Sequence, residues 1–200
     1  MNAKQRFLKK VWPRVGEFFD RFGPANYKGY IGVEEQGWFG PYIWSENGDT
    51  VRVITKFCEE EFGFLNVHNE SKIDKFMFAN FEKGEGTKSI DIDITDASGC
   101  ENDEALRELK HTLFIEVKHA FKASSFIFDV KRRISGFEQD CQKLQVQINK
   151  GRCQHAIAIL IDDGDGNGKP YVANANAFMG GLKANYPGVE PLIWQKKPSP

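Results

Sequence analysis

The sequence predicts an α/β sandwich around a mixed sheet, and three stretches carry that prediction. "KSIDIDITDA" alternates strictly, with Ile90, Ile92 and Ile94 on one side and Asp91, Asp93 and Thr95 on the other, which is the period of a strand. "TLFIEVKHA", Thr112 to Ala120, repeats that period with Leu113, Ile115 and Val117 on one face. "GFEQDCQKLQVQINKG" changes to helical spacing, with Phe137, Cys141, Leu144 and Ile148 in one stripe and Gly151 as a C-terminal stop.

The remaining elements follow in chain order. Phe7, Val11, Val15, Phe18, Phe19 and Phe22 recur at helical spacing, and Pro13 between them suits the first turn of a second helix better than the interior of one long helix. Gly23 and Pro24 end that region, and the Gly- and aromatic-rich stretch up to Tyr42 reads as loop or short strand. "WSENGDTVRVITKFCEEEFG" reads as a helix capped by Ser45, with Val51, Ile54, Phe57, Cys58 and Phe62 in its stripe and Gly63 at its end. "FLNVHNESKID" alternates weakly, as a strand would. After the helix of the third stretch, His155 to Ile161 form a buried strand that runs into a Gly-rich turn. The order is helix, strand, strand, strand, helix, strand. The last strand must return across the helix to lie beside "IEVK", which makes the sheet mixed. The expected layout is an N-terminal helical and loop extension over 1–44 packed on the core, a core over 45–175 and a C-terminal tail over 176–200, together one compact domain.

Composition bounds the classes of function. The 200 residues are 40% hydrophobic and 28% charged, as in a soluble globular protein with a real core. No apolar run approaches the roughly 18 residues of a membrane span, and the start lacks the apolar segment of a secretory signal, so the expected compartment is the cytoplasm. Four cysteines, Cys58, Cys100, Cys141 and Cys153, show no CxxC spacing and read as reduced structural thiols. Net charge is −1, but it is unevenly spread. Glu46 to Glu104 hold 15 acidic against 6 basic residues, a net of −9; Val117 to His155 hold 8 basic against 3 acidic, a net of +5. Such runs are usually solvated faces; the functional alternative is a carboxylate cluster that holds cations beside a basic surface that holds phosphates.

The two alternating strands become informative together. If they pair, Asp91 and Asp93 converge with Glu116 and Lys118 on the side away from their aliphatic residues. An exposed sheet with a salt-bridged outer face would look the same. Helices flank these strands in the sequence, however, so the sheet should be covered on both faces. Charges retained under cover coordinate a metal or pair with one another.

An aspartate on one strand and Glu-x-Lys on the next, in this order of helices and strands, resembles the PD-(D/E)XK superfamily of restriction-endonuclease-like nucleases. The resemblance spans about Ser45 to Asp163, through "WSEN", "IDID", "IEVK" and "DCQKLQVQINKGRCQHAIAILIDD". It implies a restriction-endonuclease-like α/β/α sandwich with a central mixed sheet, extended at its N-terminus by helix. It also implies a catalytic set of Asp91, Glu116 and Lys118, with Asp91 and Glu116 as metal ligands. Asp93 lies on the same face and can exchange roles with Asp91, and Glu46 at the start of the preceding helix is a candidate third ligand. The separation of 25 residues between Asp91 and Glu116 is long for a hairpin, and Ile90 stands where many members have proline.

The chemistry of that set stands apart from the family. Phosphodiester hydrolysis places negative charge on phosphate oxygens and needs a partly deprotonated water. Carboxylates suit Mg²⁺, with Mn²⁺ as a substitute, and a lysine can orient the water or offset charge. Together with the resemblance this implies metal-dependent hydrolysis of nucleic acid, with DNA placed ahead of RNA although the residues decide neither, and with a homodimer allowed. Among the basic residues that follow, Lys122, Arg132, Arg133 and Lys143 are the candidates for phosphate contacts, with Lys131, Lys150 and Arg152 nearby in sequence. Lys143 or Gln139 would be the helix residue nearest the site. The alternative from another class is a non-catalytic binding or scaffold protein of the same fold. "DDGDGNGKPYVAN" imitates a calcium loop, but its twelfth position is Asn174 rather than glutamate, so a strand-ending turn is the better reading. His119 should face away from Lys118 and pack.

Overall fold

The computed structural model describes residues 1–22, 50–72, 89–96, 110–121, 127–164 and 169–196. Its centre is a five-stranded mixed sheet made of β1 (Val67–Lys72), β2 (Ser89–Asp96), β3 (Lys110–Phe121), β4 (His155–Gly164) and β5 (Val189–Gln195), in spatial order β1-β2-β3-β4-β5. β1, β2 and β3 pair antiparallel, whereas β3, β4 and β5 pair parallel. Each parallel step is made by a crossover helix, α4 (Ile127–Asn149) between β3 and β4 and α5 (Ala175–Asn185) between β4 and β5. The strand expected to return beside "IEVK" does so, with Glu116 opposite Ala158 and Lys118 opposite Leu160.

Helices cover both faces. On one, Phe7, Val11, Val15 and Phe19 from the N-terminal helical run and Ile54 and Cys58 from α3 (Arg52–Phe62) pack on Ile92, Ile94, Leu113, Ile115, Val117, Ile157, Ile159 and Ile161. On the other, Phe137, Cys141 and Leu144 of α4 and Leu182 of α5 pack on Ile90, Phe114, Ala156, Ala158 and Leu160. The small Ala156 and Ala158 let α4 approach the sheet closely, while β4 is buried along almost its whole length, as a central parallel strand must be. Among the described residues, no helix is long and apolar enough to cross a membrane.

Four local features depart from what the residues suggest. Pro13 does stand in the first turn of α2 (Trp12–Phe22), but the chain does not break before it: α1 (Ala3–Arg6) passes through a π-helical turn (Phe7–Val11) directly into α2. Proline cannot donate to the carbonyl four residues earlier and its ring crowds that carbonyl; the wider turn, in which the Trp12 N–H reaches Phe7 O, precedes it. The helix over Gly136–Gly151 begins earlier, at Ile127, with Gly136 inside it. The segment 176–200, expected as a tail, carries most of α5 and the fifth strand. Finally, the isoleucines of β2 divide, with Ile90 in the cluster under α4 and Ile92 and Ile94 in the other, so the strict alternation in the sequence does not persist through Asp91.

The turn after β4 is held by one side chain. Asp162 accepts hydrogen bonds from the backbone N–H groups of Gly164, Tyr171 and Val172 and from Gln195 Nε2, at 3.0 to 3.1 Å. Gly164 adopts φ +73°, and a Cβ there would lie 2.6 Å from the Lys169 carbonyl oxygen. Asn174, last in the calcium-like run, caps α5 by accepting from the Ala177 N–H.

Candidate active site

Pairing of β2 with β3 runs from Asp96 opposite Lys110 to Ile92 opposite Ile115. One residue beyond the last of these pairs, Asp91 enters the ladder with its side chain: Oδ2 accepts the Val117 backbone N–H at 2.8 Å. A carboxylate that satisfies a backbone donor is fixed in orientation by the strand itself. This contact fastens Asp91 to the strand that carries Glu116 and Lys118.

Glu116 is 3% exposed, and Lys118 is half-buried beside it. α4 supplies the other half of the cluster. Lys143 Nζ lies 2.6 Å from Glu116 Oε1, and Asp140 Oδ2 lies 3.2 Å from Lys118 Nζ. Asp140 and Lys143 are three residues apart on the helix and therefore share a face. Gly136, one turn before Asp140, makes room for the lysine: a Cβ there would stand 3.4 Å from Lys118 Cε. A Cβ fits there in ordinary contact, whereas a branched side chain would crowd the aliphatic stem of Lys118.

Three acids and two lysines are gathered here largely out of solvent, and the electrostatics reflect it. Burial first, and then the neighbouring Asp91 charge, push the Glu116 carboxyl up to about 8, against the pull of Lys143. Asp140 is also raised by burial, with Lys118 and Lys143 opposing. Glu116 Oε1 and Asp140 Oδ2 are buried oxygens whose positive partners are the Lys143 and Lys118 ammoniums. Such oxygens call for positive charge.

The other expected residues have separate placements. Asp93 is buried and turns to His111, whose Nδ1 lies 2.7 Å from Asp93 Oδ2. Arg133 donates to the His119 carbonyl at 2.8 Å, Arg132 is exposed, and Arg152 is buried against Gln147. Lys143, expected at a phosphate-binding surface, is instead ion-paired to Glu116 beneath α4. Gln139 and Gln142 are exposed. Glu46 and its capping neighbour Ser45, together with Lys122, lie outside the described residues. Asp140 was not singled out from the sequence, although an acid between Phe137 and Leu144, at the margin of an apolar stripe, was a signal of a charge drawn inward.

His119 faces the opposite side of β3, as its position next to Lys118 requires. It is fully buried, with Nδ1 2.7 Å from Thr50 Oγ1 and Nε2 2.8 Å from Asp163 Oδ2, and its ring packs edge-on to Phe19. Cys58, Cys141 and Cys153 are free and buried, and burial raises all three thiols, Cys141 and Cys153 to about 12, as suits structural cysteines.

Among the described residues, no three His, Cys, Asp or Glu side chains form a ready-made metal cage. Mg²⁺ seldom asks for one, since it commonly uses one or two carboxylates and completes its shell with water and substrate phosphate. Asp91 and Glu116 offer oxygen donors of that kind, and the buried Glu116 Oε1 is one that a cation would satisfy. The donor chemistry therefore fits a hard divalent ion. Compared with protein-family models, with curated proteins and with solved structures, the chain matches none.

Proposed function

We propose that the protein is a metal-dependent nuclease of restriction-endonuclease-like fold that hydrolyses phosphodiester bonds, with DNA as the expected substrate. The observation that carries this reading is the fastening of Asp91 to the backbone of β3 beside Glu116 and Lys118, under a helix that adds Asp140 and Lys143. The element order around it, antiparallel strands followed by a helical crossover to a parallel strand, is the arrangement that the PD-(D/E)XK resemblance implies.

In this reading Asp91 and Glu116 hold Mg²⁺ or Mn²⁺, which when bound lowers the pKa of a water and neutralises phosphate charge. Lys118 projects its ammonium from the same strand as Glu116, where it orients the attacking water and offsets charge on the phosphate oxygens. Asp140 positions Lys118 by holding its Nζ. Cover by α4 strengthens each of these interactions by excluding solvent.

The test is cleavage of linear, nicked, branched and single-stranded substrates with Mg²⁺ or Mn²⁺, run beside Asp91→Ala and Lys118→Ala. The wild type should cut at least one substrate, and each variant should lose about a hundredfold or more in rate. Activity that survives both substitutions sinks the assignment. A silent wild type favours the scaffold reading, in which the acids and lysines form a structural ion-pair network.

A further inference from the structure

Lys143 is half-buried, reaches down from α4, and ends 2.6 Å from the buried Oε1 of Glu116. A lysine on a solvated face would turn its ammonium to water; this one is spent on a nearly inaccessible carboxylate. Two positive charges cannot share one buried oxygen at that range without strong repulsion. We propose that Lys143 and a divalent cation compete for the Glu116 carboxylate, so that Lys143 sets how tightly the site holds its metal. The inference rests on the reading of this cluster as a metal site. It also gives Lys143 a different role from Lys118, whose Nζ lies 3.2 Å from Asp140 Oδ2. Metal entry would turn the Lys143 ammonium away from Glu116, toward the surface where a phosphate would approach.

The experiment is Mn²⁺ binding to the full chain, followed by calorimetry and by the electron spin resonance of free Mn²⁺. Lys143→Met and Lys143→Gln remove the charge and keep the length; Lys143→Arg keeps the charge; Glu116→Gln removes the contested oxygen's charge. The two neutral variants should bind Mn²⁺ about tenfold tighter than the wild type, Lys143→Arg should stay near it, and Glu116→Gln should lose binding. If the wild type binds and Glu116→Gln does not, but the neutral variants bind no tighter, competition is refuted while the metal-site reading stands. If no form binds Mn²⁺, or Glu116→Gln binds as the wild type does, the metal-site reading falls and the inference falls with it. Should the neutral variants fail to fold, the wild type still decides: acylation of Lys143, located by mass spectrometry, should rise when Mn²⁺ is added, and unchanged labelling refutes displacement.

Discussion

Replacing Glu116 with glutamine should change how stability depends on pH, and the size of that change follows from its surroundings. The carboxyl titrates near 4.5 when unperturbed and near 8 in the folded protein, chiefly because of burial. The folded state therefore holds this proton longer than the unfolded chain. Its contribution is fully present below about pH 4.5 and is lost as pH rises toward 8. At about 1.4 kcal/mol per unit, full ionisation costs on the order of 5 kcal/mol, of which about 3 to 4 kcal/mol falls between pH 5 and pH 8. Glutamine keeps the shape and cannot ionise in either state. Urea unfolding in EDTA, at pH 5, 6.5 and 8, should show Glu116→Gln gaining about that much stability relative to the wild type as pH rises. The Lys143 ion pair forms only as Glu116 ionises and is already contained in the shifted titration, whereas pH-independent effects such as repacking shift the whole curve and drop out of the slope. A difference that stays flat within about 1 kcal/mol across this range would refute the description of Glu116 as a carboxyl forced to remain protonated by its site.

Three further outcomes are expected. Gly136→Val should crowd the Lys118 stem and lower the proposed nuclease activity about tenfold or more while circular dichroism stays native, whereas Gly136→Ala, at the edge of contact, should gain up to about 1 kcal/mol of stability from helix propensity and leave that activity as in the wild type. Asp162→Ala strips four donors of their acceptor and should cost about 2 to 4 kcal/mol in chemical denaturation; a cost below about 1 kcal/mol would mean that the turn after β4 is held by something else. Phe137→Ala, at a fully buried position of α4, should cost about 3 to 5 kcal/mol, and a smaller loss would show that α4 does not depend on this contact.

The two faces of β3 were legible from sequence, because a period of two separates Leu113, Ile115 and Val117 from Glu116 and Lys118 without reference to the rest of the chain. The same rule misplaced Ile90. Ile90 lies where the β2–β3 pairing has given out and Asp91 takes a backbone donor with its side chain, a long-range arrangement that periodicity cannot register. The contribution of α4 was hidden for a related reason. Asp140 and Lys143 look like ordinary polar residues beside an apolar stripe, and only the crossover that lays α4 on β3 converts them into partners of Lys118 and Glu116. α5 and β5 were missed because "NAFMGGLKAN" holds two glycines and a weak stripe, and β5 carries a proline; their order comes from packing on β4, which no local preference encodes.

The grip on His119 has a consequence for the face it does not touch. Lys118 and His119 are consecutive, so any roll of β3 about its own axis would swing both side chains at once, in opposite directions. Thr50 and Asp163 hold the imidazole by both ring nitrogens, and Arg133 of α4 ties down the carbonyl of the same residue. The strand is thereby pinned against rotation from behind, and the aim of Lys118 is set partly by residues on the far side of the sheet. Damage to the imidazole's partners would be felt as a loss of aim in front, at a distance of one sheet thickness and with no contact between the two.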